Sequence, residues 1–397
     1  MEKYINMQII STPTPRTETT IERLPGNLVC FSHLRWDFVF QRPQHLLTRL
    51  SKSMNIFYLE EPVISTNDAS YYKFTPRGNQ ITVITPQLRA GLSAAASLQV
   101  EKDLFRNFMA ERAFHDYGFW YYTPMALEFT REFSPDITVF DCMDELSAFK
   151  FAPESIKTLE KELLTKADIV FTGGQSLYEA KKNQHINIHA FPSSIDKLHF
   201  ARSRDLKREK AASPVKLGFY GVIDERFDID LIRGIAKLRP DWQIELIGPV
   251  VKIDAATLPF NSNISYLGSK TYAELPELIA DWDIALIPFL LNESTRFISP
   301  TKTPEYLAAG LPVVSTPIRD VVYPYGKVGL VGIGQNAGDF VSLAENELNR
   351  ADRKEWLQKV DFFLAHNSWD ETCSRMSELL SKTMKASEVI YNTIAQS

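Results

Sequence analysis

Short apolar runs alternate with helical periods along nearly the whole chain. Residues 28–33, 55–61, 81–85, 119–123, 137–142, 169–174 and 187–191 read as strands, apolar for most of their length. Between them, ESIKTLEKELLTKA sets Ile156, Leu159, Leu163 and Ala167 on one helix face. Strands of this kind, separated by helices, predict a parallel sheet covered on both faces. A charged, Pro-terminated stretch over 201–214 has no apolar period and reads as an exposed connector. The alternation then restarts at 215–221, 242–249, 263–268, 284–289, 312–316 and 329–334. Thr271-x-x-Glu274 forms a capping box ahead of an apolar stripe at Leu275, Leu278, Ile279 and Trp282. Ser368-x-x-Glu371 opens a last helix with Trp369, Cys373, Met376 and Leu380 on one face. The pattern predicts two similar α/β halves, 27–200 and 215–367. A polar arm, 1–26, precedes them, and a closing helix and tail, 368–397, follow.

The length of 397 residues is too great for one ordinary core and suits two domains. A net charge of -5 weighs against a general nucleic-acid binder. Cys30, Cys142 and Cys373 lie far apart with no CxxC, which disfavours a disulfide framework and a cysteine zinc site. No run approaches the roughly 18 apolar residues of a spanning helix, and the polar N-terminus does not read as a signal peptide. A cytoplasmic protein is the expectation. GxGxxG after the first strand, GxxxxGK[ST] and GxSxG are all absent, against a dinucleotide oxidoreductase, a P-loop NTPase and an α/β-hydrolase.

Open parallel sheets bind ligands beyond the carboxyl ends of their strands, so the chemistry is sought in those loops. In RFISPTKTPEYLAAGLPVVST (296–316), Ser299-Pro300 and Thr303-Pro304 each read as a cap followed by proline at the first helical position, and Gly310 as the residue that ends the helix. A helix start there favours a phosphate, Lys302 adds positive charge, and Glu305 suits a vicinal diol such as a ribose. SHLRWDFVFQRPQHLL follows the first strand. Its Asp37 and His33 are candidate general bases, Trp36 offers a flat face to a sugar ring, and Arg42 could meet a phosphate. In FDCMDELSAF, Asp141 and Asp144 could orient or deprotonate an acceptor hydroxyl. Two carboxylates are few for a metal cage, so no metal is expected. In FTGGQSLYEA, Gly173-Gly174 reads as a structural turn and Ser176 with Glu179 as a capping box.

PTKTPEYLAAGLPVVST resembles the signature of the GT-B glycosyltransferases of the group-1 set, which elongate bacterial cell-surface polysaccharides. The likeness runs in order through LGFYGVIDERFDIDLI, LIGP, SYLG and AELPELIADWDIALIPF, with SSIDKLHF before the connector and NSWDETCSRM at the close. The opening segment resembles a subgroup of exopolysaccharide and teichuronic-acid glycosyltransferases. The resemblance implies two Rossmann-like domains facing a cleft, with the C-terminal helix crossing back to the first. It implies that Glu305 binds the nucleotide ribose, that Ser299, Thr301 and Lys302 hold the diphosphate, and that Gly221, Gly248, Leu267 and Gly268 line the donor. The first domain would take the acceptor through Trp36, Arg42 and Asp141. The co-substrate implied is a nucleotide sugar, UDP-linked by default, with no other cofactor. The acceptor is a saccharide or polyprenyl-linked saccharide, reached at the inner face of the cell membrane. Two positions depart from the pattern. Phe297 stands where many retaining members have a second Glu, and Glu293 lies four residues earlier. Val222 and Phe227 stand where an Arg and a Lys are usual, and Arg226, beside the second slot, is expected to supply the charge to the donor diphosphate. A sugar-nucleotide epimerase of the same fold and a non-catalytic sugar-nucleotide binder are the rival functions.

Overall fold

The computed structural model describes residues 23–78, 80–206 and 214–395. The first domain holds β1 (Asn27–Phe31), β2 (Asn55–Leu59), β3 (Val63–Ser65), β4 (Tyr71–Pro76), β5 (Ile81–Arg89), β6 (Tyr117–Tyr121), β7 (Ile137–Cys142), β8 (Ile169–Thr172) and β9 (Ile188–Ala190). Their order is β3-β5-β2-β1-β6-β7-β8-β9, all parallel, with β4 antiparallel along β5. The second domain holds β10 (Lys216–Tyr220), β11 (Gln243–Ile247), β12 (Ile264–Gly268), β13 (Ile284–Ile287), β14 (Val313–Ser315) and β15 (Val331–Ile333). These form a six-stranded parallel sheet in the order β12-β11-β10-β13-β14-β15. The central strands are mostly apolar and buried because helices cover both faces. Leu28, Cys30, Trp120 and Val139 pack on one face of the first sheet, and Val29, Phe31, Phe119 and Phe140 on the other.

Two strands escape the sequence pattern. β4 is an edge strand with Tyr71 and Phe74 exposed, and β3 is three residues long with Ile64 exposed. Neither shows the apolar continuity that marks the buried strands. The stretch expected as a connector is partly a helix, Lys197–Leu206. Ile195 and Phe200 lie in the core of the second domain. Arg204 reaches Asp361 at 2.9 Å and the Ala308 carbonyl at 2.7 Å. Arg204 is therefore packed against the second domain, while Arg202 and Asp205 are exposed. Residues 207–213, the rest of that connector, and 1–22, most of the expected arm, lie outside the described residues.

The chain crosses between the domains at two points that are bonded to each other. The Trp369 N–H donates to the Ile195 carbonyl at 3.1 Å, and the Ser194 and Thr372 hydroxyls pair at 2.6 Å. The closing helix, Trp369–Ala395, buries Trp369, Cys373, Met376, Leu380 and Met384 in the first domain's core. It crosses back as expected, with the Ser368 hydroxyl accepting from the Glu371 N–H at 3.1 Å. His45, on the helix Arg42–Leu50, stacks on the Trp369 ring at 4.6 Å. Trp369→Ala should cost about 3–5 kcal/mol, the range for emptying a fully buried large ring. Urea unfolding checks this, and an unchanged midpoint would contradict the packing role.

Candidate active site

The carboxyl ends of the two sheets face each other. Phe149, beyond β7, lies 5.4 Å from the Arg226 guanidinium beyond β10 and 5.6 Å from the Lys252 ammonium beyond β11. On the second-domain side the centre is Lys302. Its ammonium sits over the rings of Phe219 and Phe289 at 5.6 and 5.7 Å. Gly221 makes room for it: a Cβ there would stand 2.2 Å from Lys302 Cε, and the backbone takes φ +141°. Gly248 presses on Gly221 in turn, with its N–H bonded to the Gly268 carbonyl at 2.8 Å. Leu267 and Gly268, at the end of edge strand β12, are exposed beside them.

Glu305 is 4% exposed, and one carboxylate oxygen accepts from the Tyr220 hydroxyl at 2.5 Å. Its other oxygen has no protein partner among the described residues. Burial pushes Glu305 up to about 7, opposed by the Tyr220 hydroxyl and Lys302. Burial pulls Lys302 down to about 8, with Glu305 opposing. Arg226 is bound to Asp224 through Nε at 3.0 Å and Nη2 at 2.6 Å, which neutralises most of its charge. The caps expected in this segment are not formed. The helix runs Lys302–Ala308 with Thr301 before it and no side-chain cap. Ser299 is drawn instead to Ser193 of the first domain, whose hydroxyl donates to the Ser299 carbonyl at 2.6 Å. Thr303 is fully buried with its hydroxyl unpartnered. Phe227 fills the usual lysine slot as a core residue against Phe219 at 5.0 Å. Phe297 packs on the first domain's apolar cluster.

On the first-domain side, several expected contacts are overturned. Asp141 is fully buried, and both its oxygens accept from Arg42, at 2.9–3.1 Å. Arg42 also donates to the Phe191 carbonyl at 2.9 Å. Neither reaches an acceptor; together they pin the helix Arg42–Leu50 to β7. Asp37 is exposed and pairs with Arg77 at 2.9 Å, which holds its carboxyl below the ordinary range. It braces the loop from outside through Arg77. Trp36 leans edge-on against Tyr58 at 5.0 Å, at the border of the core. Its backbone N–H donates to Glu60 at 2.7 Å. His33 is half-buried with Nδ1 unpartnered; burial, and then the Lys252 charge, press it down to about 4. Asp144 is half-buried at the end of β7, and no hydrogen bond to its carboxylate occurs among the described residues. Burial raises its pKa, against the nearby Arg226 and Arg42 charges.

Tyr220, Asp224, Lys252 and Phe149 were not singled out in the sequence. Tyr220 carried one signal, a polar end on an otherwise apolar strand just before Gly221. The other three carried none, because each acts through a partner distant in sequence or paired by loop geometry. No group of three or more His, Cys, Asp or Glu side chains suited to a metal occurs among the described residues.

Residues 214–349 match the family model of the group 1 glycosyl transferases. TuaH of Bacillus subtilis strain 168, whose name assigns it as a glycosyltransferase of teichuronic acid biosynthesis, is 24% identical over 260 residues, 58% of this chain. That match spans 63% of TuaH, less than two thirds of its length. The fold is similar to sucrose-phosphate synthase from Thermosynechococcus elongatus, with TM-score 0.69, 14% identity, and coverage of 91% of this chain and 99% of that one. It is also similar to a UDP-forming trehalose-phosphate synthase from Burkholderia xenovorans in complex with glucose-6-phosphate, with TM-score 0.65, 12% identity and coverage of 89% and 99%. The catalytic domain of starch synthase IV from Arabidopsis thaliana, bound to ADP and acarbose, gives TM-score 0.64 at 11% identity, over 91% and 99%. These likenesses establish the GT-B architecture.

Removing Arg42 would leave Asp141 buried and unpaired. Arg42→Ala should therefore destabilise by about 3–5 kcal/mol, while Asp37→Asn, which loses an exposed pair, should change stability by no more than about 1 kcal/mol. Chemical denaturation of both variants checks the contrast.

Proposed function

We propose, from a second domain that matches the group 1 glycosyl transferases over residues 214–349, that the protein transfers a sugar from a nucleotide-sugar donor to an acceptor hydroxyl. The observation that carries this is the pairing of Lys302, unblocked beneath Gly221, with Glu305, three residues on and half-free. One offers a cation to a diphosphate, and the other a carboxylate oxygen to a ribose diol. The donor is read as a UDP-sugar, in keeping with the UDP-forming relative. The acceptor is read as a saccharide or lipid-linked saccharide of a cell-surface polysaccharide, in keeping with TuaH. Gly248, Leu267 and Gly268 would line the base, and Ser299 and Thr301 the outer diphosphate.

In the transfer step the acceptor oxygen bonds to the anomeric carbon as the bond from that carbon to the diphosphate oxygen breaks. The departing charge falls beside Lys302, which stabilises it most where it is largest, in the transition state. The acceptor proton goes to a base. We assign that role to Asp144, whose carboxylate is free of hydrogen bonds and faces the cleft cations, rather than to Asp37. His33, neutral at pH 7, would shape the acceptor side beneath it, its unpartnered Nδ1 being shielded from solvent. No helix among the described residues is long and apolar enough to cross a membrane. Contact with a membrane surface is proposed at the exposed Ile64, Tyr71 and Phe74 of the sheet edge.

Incubation with a thermal-shift panel of UDP-, GDP-, dTDP- and ADP-glucose should single out one nucleotide; no shift with any would contradict the reading. Donor alone should be hydrolysed slowly; epimerised donor would favour an epimerase instead. Lys302→Met and Glu305→Gln should each weaken nucleotide binding by about 1.5–3 kcal/mol in calorimetry. Free Lys302 titrates near 8, and a bound diphosphate favours its charged form. Nucleotide affinity should be greatest between about pH 7 and 8, fall above 8 as Lys302 loses its proton, by up to about tenfold per unit, and fall below 7 as Glu305 gains one; Lys302→Met should abolish the upper slope and Glu305→Gln the lower. Asp144→Asn should lower turnover about 10²–10⁴-fold with nucleotide affinity intact. Turnover near that of the wild type would remove Asp144 from the mechanism.

A further inference from the structure

The segment 173–181 touches both halves of the cleft. Gly173 and Gly174 open it and are followed by the helix Gln175–Lys181. Gly173 faces the loop that carries Asp144. Its N–H donates to the Cys142 carbonyl at 2.8 Å, and a Cβ on it would stand 2.3 Å from the Met143 carbonyl oxygen. Gly174 faces the second domain. A Cβ there would stand 2.4 Å from an Asp320 carboxylate oxygen and 3.0 Å from Ser299 Cβ. No residue with a side chain fits at either position without moving backbone or a buried carboxylate.

The two ends of the helix repeat this division. At its start, the Ser176 N–H donates to Asp320, at 3.1 and 3.3 Å to the two oxygens. The cap expected from Ser176 and Glu179 is absent: the Ser176 hydroxyl is unpartnered, and Glu179 pairs with Lys182. A carboxylate from the second domain does the capping instead, and it is 6% exposed. At the other end, Lys181 is 3% exposed and binds Glu145 at 2.8 Å and Glu160 at 2.5 Å. Glu145 directly follows Asp144. Its loop closes into a short turn in which the Ala148 N–H donates to the Glu145 carbonyl at 3.0 Å, and Phe149 comes next.

We propose that Asp320 and Lys181 are positioning residues: the segment 173–181 is a strut through which the donor domain sets the place of the Asp144 loop. The placement of Asp320 and Ser299 is thereby coupled to the acceptor side. A rigid short helix bonded at both ends to different domains can transmit displacement without a change in its own shape. The inference rests on the proposed role of Asp144 for its catalytic meaning, but the mechanical coupling stands apart from that role.

Hydrogen exchange on the full chain tests it without any ligand. The amides of Ala148 and Phe149, both bonded within the turn, are the reporters. Asp320→Ala should speed their exchange about tenfold, although Asp320 touches neither. Asp320→Asn, which keeps an acceptor for the Ser176 N–H, should restore protection. Lys181→Met should act like Asp320→Ala, and Lys181→Arg like the wild type. Faster exchange confined to residues 174–178 in Asp320→Ala would make Asp320 a local cap only and overturn the proposal. Should Lys181→Met fail to fold, the two Asp320 variants decide alone. Loss of turnover in Asp144→Asn with no exchange change in Asp320→Ala would sink the strut and leave the base. The reverse pair of results would sink the base and leave the strut.

Discussion

The two sheets can present their strand ends to each other only because the chain crosses between domains at a single bonded place. Ile195 and Trp369 share a backbone hydrogen bond there, and Ser194 and Thr372 share a hydroxyl pair. The two crossings are tied together, and Ser193–Ser299 and Asp320–Ser176 join the domains further along. The closing helix makes the tied crossing costly to lose. Its first residue, Trp369, is fully buried in the first domain's core, stacked on His45. His45 belongs to the helix that opens with Arg42, and Arg42 is bound to β7 through Asp141. Crossing, helix and acceptor-side strand therefore form one packed block. Every residue discussed on the first-domain side of the cleft is placed with respect to it.

On the other side, positive charge rests on Lys302. Phe227, at the position where the resemblance implies a lysine, packs against Phe219. A cation cannot share that space without a large desolvation cost. Lys302 occupies the neighbouring opening, its ammonium over two rings and next to a glycine that has no side chain to block it. Burial opposes its charge, and a diphosphate would restore it. The same holds in reverse for Glu305, whose burial opposes ionisation and whose charged form a ribose hydroxyl would favour. Burial thus opposes both charges, and a bound diphosphate and ribose would favour them.

The fold was legible because it depends on local pattern. Apolar runs mark buried parallel strands, and the Thr271-Glu274 box forms as its spacing implies, with the Thr271 N–H donating to Glu274 at 2.8 Å. β3 and β4 were not legible, since an exposed edge strand has no buried face to pattern it. Site residues were legible where one motif holds the whole device, as with Lys302 and Glu305. They were misread where the partner is distant. Asp141 looks like a cleft carboxylate at a strand end. In the sheet it shares the face of Ile137 and Val139, beneath the helix that supplies Arg42. Ser176 looks like its own helix cap until Asp320, 144 residues on, takes that place. Such choices are made by tertiary packing, and no local period encodes them.

The contrast between Asp141 and Asp144 is the last step. Both lie at the end of β7, and both are raised by burial. A base must exchange its proton with a substrate, so it needs a carboxylate whose lone pairs are unclaimed. Arg42 claims both oxygens of Asp141. The neighbouring Arg226 is itself claimed by Asp224. Two ion pairs that each neutralise themselves thus flank Asp144, stabilising its charged form only partly. A carboxylate left with incomplete compensation, half-buried and unbonded, keeps more basicity than a paired one. The arginines near Asp144 therefore leave it available because each already has a partner. The sequence alone, which shows only a run of acidic residues after a strand, gives no way to separate these two.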